Sequence, residues 1–215
     1  IGAKWVRIQS GWERTEQEKG VYDFEWLDSI VDNLLERGLV PWINLAYGNG
    51  LYDDDAAKVF GAVGCPPVKS EEAKKGWADY ITALAAHMKG RISYYEVWNE
   101  PDGEWCWKHG PNGKEYGQFV VDTSVALKKG DSSAKVIGGA ICMAKPLDFA
   151  YDAFSVGMGE HIDAISFHEY VIDETVVFRH VKALRGLCNR FNPNIEIIQG
   201  ESGSQSRSDG RGAMR

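Results

Sequence analysis

Cysteine is scarce, four in 215 residues, and Cys65, Cys106, Cys142 and Cys188 form no Cys-x-x-Cys pair. That spacing supplies neither a zinc site nor a disulfide framework, so free thiols are expected. No apolar run reaches the roughly 18 residues that cross a bilayer, and no membrane span is expected in these residues. No basic stripe offsets the net charge of -7, so nucleic acid would meet net repulsion and is not expected as a partner. No G-x-G-x-x-G turn follows an early strand, Gly138-Gly139 alone is no dinucleotide site, and no cofactor is expected. His87, His109, His161 and His180 show no ligand spacing, and Asp53-Asp54-Asp55 lacks the further oxygen donors of a calcium loop, so no metal is expected. The chain opens on Ile1 rather than methionine and closes on the polar stretch Ser202 to Arg215. Both ends read as cut, which leaves the compartment open.

What is present is a regular alternation. Apolar, β-branched or aromatic runs at Lys4 to Gln9, Leu39 to Ala46, Ile92 to Trp98, Ala134 to Gly138, Ile162 to Phe167 and Ile195 to Gln199 read as strands. Helical stripes separate them. Phe24, Leu27, Ile30, Val31, Leu34 and Leu35 share one face and stop at Gly38, a C-terminal glycine signal. Trp77, Tyr80, Ile81, Leu84 and Met88 form a second stripe, Tyr116, Phe119, Val120, Thr123 and Leu127 a third, and Val177, Val181, Leu184 and Cys188 a fourth. Pro146 suits the first turn of a shorter helix through Phe154. Strands separated by helices predict a parallel sheet with right-handed crossovers.

Without the dinucleotide turn, the doubly wound sheet gives way to the eight-stranded (β/α)8 TIM barrel. Six units in 215 residues average about 36 each, so eight would need nearly 290, within the usual barrel range. The expectation is one catalytic barrel domain over residues 1–215, truncated to about six strands, with the first and eighth missing. An open barrel exposes two strand edges, so the 215-residue piece alone is expected to be poorly soluble or inactive. The segments Tyr47 to Ser70 and Asn99 to Asn112 follow strands and fall on the C-terminal face, where barrels carry their sites.

Two carboxylates terminate strands in this arrangement, Glu100 in Trp98-Asn99-Glu100-Pro101 and Glu201 after the run Ile195 to Gly200. Facing strand ends can hold two carboxyl groups at the fixed separation that glycosidic cleavage requires. Taken singly, each is as readily an ordinary surface glutamate; the pair at corresponding strand ends carries the reading.

Tyr95-Glu96-Val97-Trp98-Asn99-Glu100-Pro101-Asp102 resembles the acid/base strand end of the clan A glycoside hydrolases, most closely the family 39 type that includes β-xylosidases and α-L-iduronidases. Trp12, Glu16, Gly20-Val21-Tyr22-Asp23-Phe24 and the following helix are similar to the segment after the second strand of such enzymes. Ile137-Gly138-Gly139-Ala140 resembles their fifth strand, and Gln199-Gly200-Glu201-Ser202-Gly203 their nucleophile strand end. The resemblance implies retaining hydrolysis of β-xylosides or related glycans, with Glu100 as acid/base and Glu201 as nucleophile on the fourth and seventh barrel strands. It implies an oligo- or polysaccharide substrate. An endo-acting β-glycanase of the same clan and a non-catalytic carbohydrate-binding barrel are the alternatives.

The same resemblance implies that Arg7 lies beside the nucleophile and that Asn99 bonds the sugar 2-hydroxyl. Strict strand alternation turns Asn99 away from the face of Glu100, so its role needs a twist or bulge. His168 and Tyr170, read as following the sixth barrel strand, would line the subsite and touch the nucleophile. Glu169 is a possible third carboxylate on a loop. Among the aromatics, Trp26 and Trp77 read as core, while Trp12, Trp105, Trp107, Tyr47 and Tyr52 in post-strand loops are candidate sugar platforms.

Overall fold

The structure, a computed structural model, describes residues 2–58, 60–142, 146–171 and 174–203. Six strands, β1 (Trp5–Gln9), β2 (Val40–Leu45), β3 (Tyr94–Val97), β4 (Lys135–Ile141), β5 (Ala164–Glu169) and β6 (Glu196–Ser202), form one sheet in sequential order. Every pairing is parallel. The helices α1 (Trp12–Thr15), α2 (Glu25–Glu36), α3 (Glu71–Met88), α4 (Gly113–Gly130), α5 (Pro146–Ser155), α6 (Met158–His161) and α7 (Glu174–Phe191) fall between them. Sequential parallel strands with helical crossovers curl into the wall of a (β/α) barrel rather than reversing direction about a switch point.

The stripes read from periodicity are the faces that are buried. Trp77, Tyr80, Ile81, Leu84 and Met88 of α3 and Tyr116, Phe119, Val120, Thr123 and Leu127 of α4 are all buried. α3 starts at Ser70, whose hydroxyl accepts from the Ala73 amide at 3.1 Å, relieving one orphan donor of the first turn. α2 buries Leu27 and Val31 but leaves Ile30 exposed, so its stripe is narrower than the sequence suggests. Gly38 closes it at φ 69°, with its amide on the Leu35 carbonyl and that of Leu39 on Leu34. All four cysteines are free, as their spacing predicts. Among the described residues no helix is long and apolar enough to cross a membrane.

The placements of His168, Glu169, Trp12 and Trp107 differ from those expected. β5 runs to Glu169, so His168 sits within the strand rather than after it. Glu169 is buried and bonds His180 of α7, which places it on the helical side and not on a loop at the cleft. Trp12 and Trp107 are buried core rather than platforms: Trp12 stacks on Tyr52 and Tyr80 and donates to Glu16, and Trp107 packs on Trp98 and Phe119. Trp26 is half-buried and packs against the core, as expected, with the Arg14 guanidinium 4.3 Å from its ring centroid.

The loops after β2 and β3 have a core of their own. Trp107 and Cys106 are buried, Trp98 donates to the Cys106 carbonyl at 2.8 Å, and the Lys108 amide donates to the Gly64 carbonyl at 2.9 Å. The two segments therefore dock on each other over the C-terminal rim of the sheet.

Candidate active site

β3 ends in a conformation that regular strands do not adopt. Trp98 has φ 65° and Glu100 φ 47°, left-handed values that cost non-glycine residues about 1–3 kcal/mol each. The Trp98 ring, fully buried among Tyr47, Trp77, Trp107 and Phe119, removes about 150–250 Å² from water, worth roughly 4–6 kcal/mol. Burial is therefore of the size needed to offset the strain. The bend breaks strict alternation and brings Asn99 to the same cleft as Glu100, the twist its implied role requires.

The neighbouring strand secures that bend. β4 carries an irregularity between Gly138 and Ile141, with Gly139 at φ 107° and Ala140 at φ 49°. A Cβ on Gly139 would stand 2.3 Å from the Ser166 carbonyl oxygen, so only glycine fits. The bulge presents the Ala140 carbonyl to the Glu100 amide at 3.0 Å, and Tyr116 from α4 donates to the carbonyl of Val97 at 2.8 Å and accepts from the amide of Gly139 at 2.8 Å.

Arg7, midway along β1, donates from three nitrogens: Nε to Glu96 at 2.5 Å, Nη1 to Glu201 at 2.7 Å and Nη2 to Asn99 at 2.8 Å. The guanidinium fork holds three acceptors in one plane, which an ammonium cannot do. Glu96 is wholly buried and also accepts from Asn44 at 3.0 Å and Ser166 at 2.6 Å, as a buried charge must. Sequence reasoning assigned no role to Glu96, Asn44 or Ser166. Their signal was a charged or polar side chain inside an otherwise apolar strand, Glu96 sharing the parity of Glu100. Asn99 spends its amide on a long contact with Cys106 Sγ at 3.7 Å.

Glu100 and Glu201 face one another across the rim. An oxygen of each and a ring nitrogen of His168 all lie within 4.8 Å of one another. His168 Nδ1 is 3.0 Å from Glu100 Oε1 and 3.7 Å from Glu201 Oε2. Tyr170 donates to Glu201 Oε2 at 2.7 Å, a bond that, with some burial, pushes its own pKa up to about 12. On Glu100 the His168 hydrogen bond, opposed by burial and helped by donors on Trp105 and Cys142, holds the carboxyl below its usual range. Trp105 Nε1 donates to Glu100 Oε2 at 2.5 Å. The structure thus brings Arg7, Asn99, Glu100, His168, Tyr170 and Glu201 into one cleft. A cation bound by the Glu-His-Glu cluster would meet the Arg7 guanidinium already on Glu201, so the cluster suits proton handling better than metal binding.

An incomplete ring of parallel strands with paired carboxylates at its C-terminal rim defines a barrel of the glycoside hydrolase kind. The chain belongs to glycosyl hydrolases family 39, whose profile matches residues 5–184. A β-xylosidase of Caldicellulosiruptor saccharolyticus is 30% identical over 191 residues, covering 80% of this chain and 38% of that enzyme. A β-xylosidase of Geobacillus stearothermophilus is 29% identical over 163 residues, covering 71% of this chain and 31% of that enzyme. The chain therefore spans less than two fifths of the length of either relative. The structure of a family 39 β-xylosidase from Caulobacter crescentus superposes with a TM-score of 0.75 at 22% identity, covering 96% of this chain and 48% of that one. It shares the fold, a curled parallel wall corresponding to part of a TIM barrel.

Proposed function

We propose that this chain carries the catalytic centre of a retaining glycoside hydrolase acting on β-xylosides or related glycans, with Glu100 as acid/base and Glu201 as nucleophile. The observation that carries the reading is the approach of the two carboxylates to within 4.8 Å, oxygen to oxygen. That approach is of the order of the about 5–5.5 Å between carboxyl groups in retaining enzymes and is shorter than the about 6.5–9.5 Å of inverting ones, which leave space for a water. Kinship with two β-xylosidases supports the sugar class.

In this reading Glu201, held by Arg7 and Tyr170, attacks the anomeric carbon as the bond to the leaving oxygen breaks, and Glu100 gives that oxygen its proton. Water then attacks the glycosyl-enzyme, Glu100 takes the water's proton, and Glu201 departs as carboxylate. In the free cleft Glu100 sits below its usual pKa. A sugar that displaces water from the cleft raises it beside the anionic Glu201, and esterification of Glu201 removes that charge and lowers it again. Arg7, Asn99, His168 and Tyr170 position the pair and contact the sugar.

Hydrolysis of an aryl β-xyloside by the full chain, followed by NMR, tests this. The β-anomer is expected as first product, and Glu100→Gln is expected to slow turnover of poorly activated substrates by about 10²–10⁴-fold. First formation of the α-anomer contradicts retention.

A further inference from the structure

The acid/base candidate has a second neighbour whose position fits a task of its own. Trp105 is 56% exposed, yet its indole N–H is fixed on Glu100 Oε2 at 2.5 Å. An exposed tryptophan in a loop ordinarily has no fixed partner; this one is held from below as well. A Cβ on Gly103 would lie 2.4 Å from Cε2 and Cζ2 of the indole, so the ring rests directly against the Gly103 backbone. That backbone is itself tied down, with the Gly103 amide on the Glu100 carbonyl at 3.0 Å and the Gly103 carbonyl accepting from Cys106 at 3.0 Å and Trp107 at 2.9 Å. Cys106 and Trp107 are buried. The ring is therefore seated on a rigid turn with its remaining surface open.

The proton of a general acid goes to the leaving oxygen, so the acid must stand beside the leaving group rather than beneath the ring being attacked. A ring bonded to that acid is on the leaving-group side too. Flat apolar surface with a polar edge is what stacks on a pyranose or aryl face. We infer that Trp105 is the leaving-group platform of this cleft and at the same time the residue that sets the rotation of the Glu100 carboxyl, with Gly103 as its seat. The substrates it favours carry a flat second ring, a second pyranose or an aryl aglycone, over a small alkyl one.

The inference rests on Glu100 being the acid, and the test keeps the two apart. In the full chain, Trp105→Phe retains a ring and loses the N–H; Trp105→Ala loses both; Gly103→Ala keeps the tryptophan and displaces it. Each is assayed on an aryl β-xyloside with a poor leaving group, on one with a leaving group that departs without protonation, and on an alkyl β-xyloside. Trp105→Phe is expected to lower kcat on the poor leaving group about tenfold, the worth of one hydrogen bond to a charged group, and far less on the activated one. Its KM for aryl substrates should hold. Trp105→Ala should in addition raise KM for aryl but not for alkyl substrates, and Gly103→Ala should follow Trp105→Ala. Equal losses on both leaving groups, or equal KM changes for aryl and alkyl substrates, overturn the inference. Glu100→Gln is the control: if it shows no leaving-group dependence, the acid assignment itself falls, whereas a leaving-group-dependent Glu100→Gln beside a wild-type-like Trp105→Phe removes only the role of Trp105.

Discussion

Glu100 illustrates how neighbours set the work of one side chain. Its carboxyl is pulled down first by the His168 hydrogen bond, while burial pushes it up. Removing the histidine donor raises the Glu100 pKa, so the protonated acid survives to higher pH. The alkaline limb of the kcat/KM profile of His168→Phe is expected to move upward relative to the parent; an unmoved or lowered limb contradicts the assignment. The two carboxylates were legible as a pair because each terminates an apolar run. Glu96 was not, because a lone glutamate in a strand reads as the solvent face of an alternating pattern, and only the curl of the sheet turns that face onto Arg7. Trp12 and Trp107 were misread for the converse reason: loops run over surfaces, but these loops enclose a core.

Elements were legible to within a few residues because periodicity reports which face is buried. Their irregular ends were not, since bulges and left-handed residues leave little pattern. The Gly139 bulge in β4 is the element-level device that shapes the site, because it hands the Ala140 carbonyl to Glu100. Gly139→Ala would force a Cβ to within 2.3 Å of the Ser166 carbonyl at a backbone φ of 107°, and is expected to destabilise by about 2–4 kcal/mol. Thermal unfolding checks this: a Tm lowered by several degrees is expected, and an unchanged Tm would show that β4 adjusts without the glycine.

At the scale of the molecule, the described residues form six strands with β1 and β6 at the two edges, an open wall. Trp5, half exposed, and its neighbours Trp42 and Tyr94 line a cavity of about 360 Å³ on the lower inner face with Ile137, Glu196 and Ile198. Edges that are unpaired among the described residues, beside exposed aromatics, favour association. The 215 residues expressed alone are expected to self-associate in size-exclusion chromatography, and a monodisperse monomer would contradict this. The cleft nonetheless draws its two carboxylates from the edge strand β6 and the end of β3, three strands away in the curled wall, so the central claim can be tested at one residue. The full chain is incubated with a 2-deoxy-2-fluoro-β-xyloside bearing a good leaving group, and the trapped peptide is mapped by mass spectrometry. A single fluoroxylosyl ester on Glu201 is expected; a label on any other residue, or turnover of the parent substrate with inversion and no label, would contradict the assignment of Glu201 as nucleophile.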